Sequence, residues 1–275
     1  MGSLRMRSEA ESTGEVQIIV VKIGGNSIAE DLSFLGNMAR QLRALQIAGH
    51  ALVLIHGGGP QIDAALRAAG ITPAKGPDGR RLTDAQTMDV VARTMRTISL
   101  TVVTALQDAG CAVQSAPTTP VMALPLTDDG DRTGRPALVE RELLLQWLAS
   151  GDILVLNSVG YGVDGLAYNI NADDYALAVA ASLQAKRLIL VTNVMGVWDA
   201  DKKPLPSLTP TAARALMAGG VIKGGMIPKV ESALAGLAAG IGGIAIIDGH
   251  RPDALTIALT KPEAVGTLLV ADKAA

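Results

Sequence analysis

The chain has 275 residues, 49% of them apolar and 18% charged, with a formal net charge of −2. That balance excludes a solvated disordered chain, and it leaves no basic field to hold nucleic acid or an anionic membrane. Aromatic residues make up only 2%, so Ala, Val, Leu and Ile must build the core, and base-stacking surfaces are excluded.

Residues 1–16 are polar and charged and read as a flexible N-terminal segment without the apolar stretch of a secretion signal. No uninterrupted apolar run is long enough to span a membrane, so a cytoplasmic protein is expected. Gln17–Ile23 is a short β-branched run that ends at Gly24-Gly25, the pattern of a buried parallel strand. Leu32–Ala48 carries apolar residues at helical spacing up to Gly49. Ala51–Ile55 is a second strand, closed by His56-Gly57-Gly58-Gly59. Gln61–Ala69 is a helix stopped by Gly70. Asp84–Ala109 is a long helix, with Asp84 as a candidate N-cap and Gly110 at its end. Ala112–Gln114 starts another strand, and Cys111 before it reads as small core filler. Residues 115–140 hold Pro117, Pro120, Pro125, Pro136 and Asp128-Asp129-Gly130-Asp131, which fits hairpins or a loop-rich insertion.

Beyond that stretch, Glu142–Ser150 is helical, Asp152–Leu156 a strand, Ala172–Gln184 an Ala-rich helix and Arg187–Val191 a strand. Helices follow at Thr211–Ala218 and Val230–Ala239, then strands at Gly243–Ile247 and Leu268–Val270. Strands alternating with helices predict an α/β fold with a mainly parallel sheet covered on both faces. No linker separates independent units, so residues 17–275 read as one domain with two lobes. Ligands of such sheets bind beyond the carboxyl ends of the strands.

The residues after those strands carry chemistry. Consecutive glycines at Gly24-Gly25 and Gly57-Gly58-Gly59 let backbone N–H groups face an anion, and a following helix adds its positive end. Either loop also fits a plain strand–helix turn. Neither is a Walker A motif or a dinucleotide fingerprint. Lys22 lies inside an apolar strand, where an ammonium is costly unless it meets an anion. Lys229 follows Lys223-Gly224-Gly225-Met226-Ile227-Pro228 at the start of a helix, a position that opposes the helix dipole unless an anion sits there. Asn171 or Asp173 would cap the Ala-rich helix. Asn169 and Asp173 are also placed to line the crevice, with Asp173 able to orient both lysines. Arg81 offers a bidentate partner for a carboxylate. His50, His56 and His250 lack metal-ligand spacing, and no metal site of the protein's own is expected. A nucleophile elbow is absent. The inventory is that of phosphoryl transfer.

In order and spacing, these motifs resemble the amino acid kinase superfamily, and within it the N-acetylglutamate kinases. The matching runs are Lys22–Gly25, His56–Ile62, Arg81–Asp84, Tyr168–Asp173, Gly224–Lys229, Asp248-Gly249 and Gly266-Thr267. The resemblance implies a three-layer αβα sandwich. Residues 17–184 would bind the acyl-amino acid and form the dimer, and residues 185–275 would bind ATP. The reaction would move the γ-phosphoryl of MgATP onto the side-chain carboxylate of N-acetyl-L-glutamate, a step of arginine biosynthesis, with magnesium carried by ATP.

By position, Lys22 and Lys229 would stabilise the phosphoryl and Asp173 would hold the lysines. Gly57, Gly58, Gly59, Arg81 and Asn169 would bind the acceptor. Gly24, Gly25, Thr192, Asn193, Gly196, Gly225 and Met226 would bind ATP, with adenine between aliphatic walls. Three departures stand out: Asn193 where the family commonly has Asp, a 93–99 segment without the usual Gly-x-x-Asn-Lys run, and the composition of residues 115–140. Alternatives are a kinase for carrier-bound aminoadipate or glutamate or another N-acyl amino acid, and a catalytically silent regulatory homologue. Lacking an N-terminal helix, the chain is expected to form a homodimer with weak or absent arginine inhibition.

Overall fold

The computed structural model describes residues 16–272, apart from 31, 194, 224 and 225. The expectation about the N-terminal segment therefore lies outside the described residues, as does the one for Gly225.

The chain runs β1 (Ile18–Ile23), α1 (Gly25–Glu30), α2 (Leu32–Ile47), β2 (Ala51–His56), α3 (Gly59–Ala68), α4 (Ala85–Asp108) and β3 (Val113–Ser115). It continues through β4 (Val121–Pro125), β5 (Thr133–Val139), α5 (Arg141–Leu148), β6 (Ile153–Asn157), β7 (Val159–Tyr161), β8 (Ala167–Ile170) and α6 (Ala172–Ser182). The C-terminal part holds β9 (Arg187–Thr192), β10 (Ser207–Leu208), α7 (Pro210–Ala218), α8 (Met226–Ala238), β11 (Ile244–Asp248), α9 (Ala254–Thr260) and β12 (Gly266–Leu269).

The main sheet has the order β10-β12-β11-β9-β1-β2-β6-β3. Its pairs are parallel except β11 with β12. Because successive strand residues face opposite sides, β1 feeds two cores. Ile19, Val21 and Ile23 join Leu35, Met38, Leu66, Val91 and Leu255, from α2, α3, α4 and α9, on one face. Val20 joins Leu144, Tyr175, Val179, Ala213 and Val230, from α5 to α8, on the other. Helices thus cover both sides of the sheet, giving the expected three layers.

β1 sits between β2 and β9, so the connections leave it in opposite directions, and the crevice opens at the carboxyl ends of these three strands. Strands β4, β5, β8 and β7 close into a small barrel. It stands on that same edge, because β7 begins two residues after β6 ends.

Several expected ends are set by visible chemistry. Asp84 caps α4, its Oδ1 accepting from Thr87 N–H at 2.7 Å. Asn171 caps α6, accepting from the N–H groups of Asp173 and Asp174. Gly49, Gly70 and Gly110 take the left-handed conformation after their helices. Cys111 is buried, with its thiol against the Ala39 carbonyl at 3.6 Å, and burial pushes its pKa up. It is core, as the sequence suggests.

The structure also adds to the expected elements. Helix α8 begins at Met226 rather than Val230, so Pro228 falls in its first turn, where a missing N–H breaks no helical bond. Helix α3 begins at Gly59, with Pro60 in its first turn for the same reason. Residues 115–140 do form a hairpin, β4 with β5. Strands β7, β8 and β10 and helices α1 and α9 are short pieces without a repeating apolar pattern. Among the described residues, no helix is long and apolar enough to cross a membrane.

Candidate active site

Lys22 shares a face of β1 with Val20, the face covered by α6 and α8, and it is the last residue of β1 on that side. The first turn of α6 brings Asp173 to it, and the first turn of α8 brings Lys229. Lys22 Nζ lies 2.7 Å from Asp173 Oδ1, and Lys229 Nζ donates to Asp173 Oδ2 at 3.0 Å. Their side chains are 11%, 20% and 23% exposed for Lys22, Asp173 and Lys229. Burial raises the Asp173 pKa, but the lysines outweigh it and hold the carboxyl well below the usual range. One carboxylate therefore separates two cations, and the cluster keeps a net positive charge at the crevice floor.

The glycine loops touch above this floor. A Cβ on Gly25 would sit 2.8 Å from Gly59 N and 2.9 Å from Gly58 Cα, while one on Gly24 meets nothing within 4 Å. Gln61 Nε2 donates to the Gly25 carbonyl at 3.0 Å, locking the loops together. A Cβ on Gly58 would run into Ile98 and Met95 at 2.6 and 2.8 Å.

His56, fully buried before the second loop, places its Nδ1 3.2 Å from the Gly57 carbonyl and its Nε2 2.8 Å from Ser99 Oγ. A carbonyl can only accept, so Nδ1 carries the proton, and Nε2 is left as an acceptor beside a hydroxyl that also reaches the Met95 carbonyl. Burial lowers the His56 pKa to about 4, so the ring is neutral near pH 7. The histidine thus orients the glycine loop.

Arg81 reaches the loops from the segment between α3 and α4. Its Nη2 pairs with Asp63 at 2.5 Å and donates to the Gly59 carbonyl at 3.2 Å, and its Nη1 has no hydrogen-bond partner among the described residues. Its carbonyl accepts from Thr83 Oγ1 at 2.9 Å and Thr133 Oγ1 at 2.6 Å. Asp131 accepts from the N–H groups of both Thr83 and Thr133, and Asn169 Nδ2 donates to Thr83 Oγ1. The small barrel is thereby stitched to Arg81.

A cavity of about 230 Å³ opens among these groups, lined by Lys22, Gly25, Gly57–Gly59, Arg81, Asn169 and Asp173 together with Lys75, Arg80, Thr133 and Ser158. The expected acceptor residues therefore converge on one space. Asp63, Arg80, Thr83, Asp131, Thr133 and Ser158 were missed by sequence reading. Only the Arg81–Asp84 run hinted at them.

The expected nucleotide residues are more dispersed. Gly196 and Met226 line a second cavity of about 280 Å³ with Trp198, Val221 and Lys223. Met226 and Lys229 share the first turn of α8, which joins this cavity to the lysine cluster. Trp198, 45% exposed, puts an indole on a wall expected to be aliphatic. Gly196 has φ +93 and packs on Gly266 and Thr267 so closely that a Cβ would sit 2.4 Å from the Thr267 hydroxyl. Thr192 ends β9 and Asn193 follows it, both outside the lining of either cavity, with Thr192 Oγ1 donating to the Ile247 carbonyl.

The amino acid kinase family pattern matches residues 17–248. An acetylglutamate kinase from Azorhizobium caulinodans is 36% identical over 92% of this chain and 89% of its own length. Among solved structures, the N-acetylglutamate synthase of Neisseria gonorrhoeae with coenzyme A and N-acetyl-glutamate superposes with a TM-score of 0.82 at 24% identity. That match covers 94% of this chain and 60% of the synthase chain. Carbamate kinase from Giardia lamblia bound to AMP-PNP superposes with a TM-score of 0.71 at 19% identity, over 94% of this chain and 99% of its own. These two likenesses speak to the fold. The family pattern and the acetylglutamate kinase identity both span most of the length, and the chain belongs to the amino acid kinase family.

Proposed function

We propose that this protein is an acetylglutamate kinase: it transfers the γ-phosphoryl of ATP to the side-chain carboxylate of N-acetyl-L-glutamate, in arginine biosynthesis. The observation that carries the reading is the lysine pair held on one carboxylate beneath two touching glycine loops. A carboxylate oxygen of the acceptor attacks the γ-phosphorus, the bond to the β-phosphate oxygen breaks, and ADP leaves. The acceptor is already ionised, so no general base is required, and positioning with charge stabilisation carries the rate.

Lys22 and Lys229 meet the negative charge of the transferring group, and Asp173 fixes their separation. N–H groups of Gly57–Gly59 address the acceptor or the phosphoryl, and those of Gly24 and Gly25 the β- and γ-phosphates. Arg81, through its unspent Nη1, and Asn169 hold the remainder of the acceptor. Thr192, Asn193, Gly196, Gly225 and Met226 serve the nucleotide, in a lobe of residues 185–275 set against an acceptor lobe of residues 17–184. The donors around the crevice floor are ammonium and N–H groups, which suit phosphate oxygens. A magnesium ion would ride on the nucleotide with its waters.

The test offers purified protein MgATP with N-acetylglutamate, glutamate, aspartate or N-acetylaminoadipate, and traps acyl phosphate with hydroxylamine. Hydroxamate is expected from N-acetylglutamate, and its absence would reject the function. The proposed assembly is a cytoplasmic homodimer. Light scattering should return twice the chain mass, and a hexamer would contradict it.

A further inference from the structure

The segment joining α3 to α4 folds into a narrow hairpin, pinned by a bridge between Lys75 and Arg81 and turning at Gly76–Gly79. Lys75, Gly79, Arg80 and Arg81 all line the cavity that holds Lys22 and Asp173, so the hairpin is one of its walls. Its base is fixed through Arg81, as described above. Its tip is held differently. Arg80 Nη1 donates to Asp78 Oδ2 at 2.9 Å within the hairpin, and Arg80 Nη2 donates to Asp174 Oδ2 at 2.8 Å on α6. Among the described residues, the pair with Asp174 is the one hydrogen bond or ion pair that ties residues 75–80 to anything beyond residue 82.

Asp174 adjoins Asp173, and both N–H groups are gathered by the same Asn171 cap. The first turn of α6 therefore holds two ion-paired carboxylates. One binds the lysines under the crevice, and the other binds the hairpin that walls the acceptor cavity. The Arg80 and Asp174 side chains are 33% and 23% exposed. A pair this open adds little to stability, so its consequence is where it places the hairpin and the α6 turn.

We propose that Arg80 is a positioning residue: by gripping Asp174 it holds the 75–81 hairpin closed on the acceptor cavity and fixes the helical turn that carries Asp173. Enclosing the acceptor and aligning the two lysines then become one event. The inference deepens the kinase reading and rests on it for its kinetic part.

Two measurements test it. On the full chain without substrates, amide hydrogen exchange at residues 76–80 should speed up about tenfold in both Arg80→Ala and Asp174→Ala, with the melting temperature nearly unchanged. In the hydroxamate assay, each variant should raise KM for the acceptor and lower kcat by about tenfold together, with KM for ATP within about twofold. The double variant should be no worse than either single one. Arg80→Lys should recover part of the loss, and the exchanged pair Arg80→Asp with Asp174→Arg should recover more than either single reversal. Unchanged exchange at 76–80, or single losses that multiply in the double variant, would overturn the proposal. Exchange needs no reaction, so a wild-type protein that makes no hydroxamate would reject the function while leaving the clamp separately measurable.

Discussion

On the proposed acceptor side of the crevice, Arg81 and Thr83 are 8% and 0% exposed, and Asp131, Thr133 and Asn169 bind them in one continuous network. On the proposed nucleotide side, Met195 and Trp198 are 50% and 45% exposed, and the second cavity is walled mainly by Val197, Val221, Ile222 and Met226. The first region is held together by hydrogen bonds within the protein itself. The second offers apolar surface that a nucleobase would complete. A pocket that positions a reacting carboxylate gains from rigidity, since small displacements cost rate. A pocket that holds a base through area alone tolerates looser walls.

The sharpest way to break this contrast is at the floor, which both sides share. Lys22→Ala and Lys229→Ala should each lower kcat by about 10³-fold while leaving KM values within a few-fold, as expected for groups that act on developing charge. Steady-state kinetics check this, and unchanged turnover in either variant removes that lysine from the mechanism. Asp173→Asn should be comparably damaging, because it leaves two half-buried ammoniums facing each other.

The glycine loops give a paired test of rigidity. Gly25→Ala must push on the backbone of Gly58 and Gly59 and should lower kcat/KM for the acceptor by about 10²-fold. Gly24→Ala, one residue away, meets no protein atom, so any effect it has should fall on KM for ATP and leave kcat/KM for the acceptor nearly unchanged. Equal effects at the two positions would show that loop contact is not what matters.

His56 links that rigidity to pH. Its pKa is lowered by burial to about 4 in the folded chain, against about 6.5 when unfolded. Between those values the unfolded chain binds more protons, so stability is full above pH 6.5 and falls as pH drops toward 4. The loss amounts to roughly 3 kcal/mol. Denaturant unfolding at several pH values should show this slope, and His56→Asn should flatten it. Asp173 shifts in the same direction for the opposite reason, since the lysines favour its charged form. With its folded pKa depressed, its contribution is complete above about 3.9 and is lost only in stronger acid.

The smallest effect belongs to the proposed nucleotide side. Trp198→Ala should raise KM for ATP by up to about tenfold, the worth of one aromatic contact of about 0.5–1.5 kcal/mol, and leave KM for the acceptor unchanged. Tryptophan fluorescence should respond to ATP in the native chain and lose that response in the variant.

Much of this could be read in the sequence, for identifiable reasons. β1, β2, β9 and β11 are continuous apolar runs because both faces of a parallel sheet are covered. Lys22 stood out because a charge interrupts one of those runs. Asp173 and Lys229 stood out because each sits where a helix begins. What stayed hidden is chemistry that only the fold brings together. Asp63 lies within a helical run, and its pairing with Arg81 has no local signature. Asp131 looked like one more turn residue, yet it accepts from Thr83, which is 48 positions away. Arg80 was overshadowed by Arg81, and its partner Asp174 lies 94 positions on. His56 opens one of the matching runs, but only its burial between Gly57 and Ser99 shows what its ring does.

Carboxyl phosphorylation and plain ATP hydrolysis differ in which oxygen ends up on the phosphorus. N-acetylglutamate carrying heavy oxygen in its side-chain carboxylate should be incubated with protein and MgATP, and the product cleaved with hydroxylamine. Attack at the carbonyl carbon releases phosphate that keeps the bridging oxygen. The account predicts phosphate bearing one heavy oxygen, formed together with the hydroxamate. Phosphate free of the label would mean that ATP is split without transfer to the carboxylate, and it would contradict the central claim.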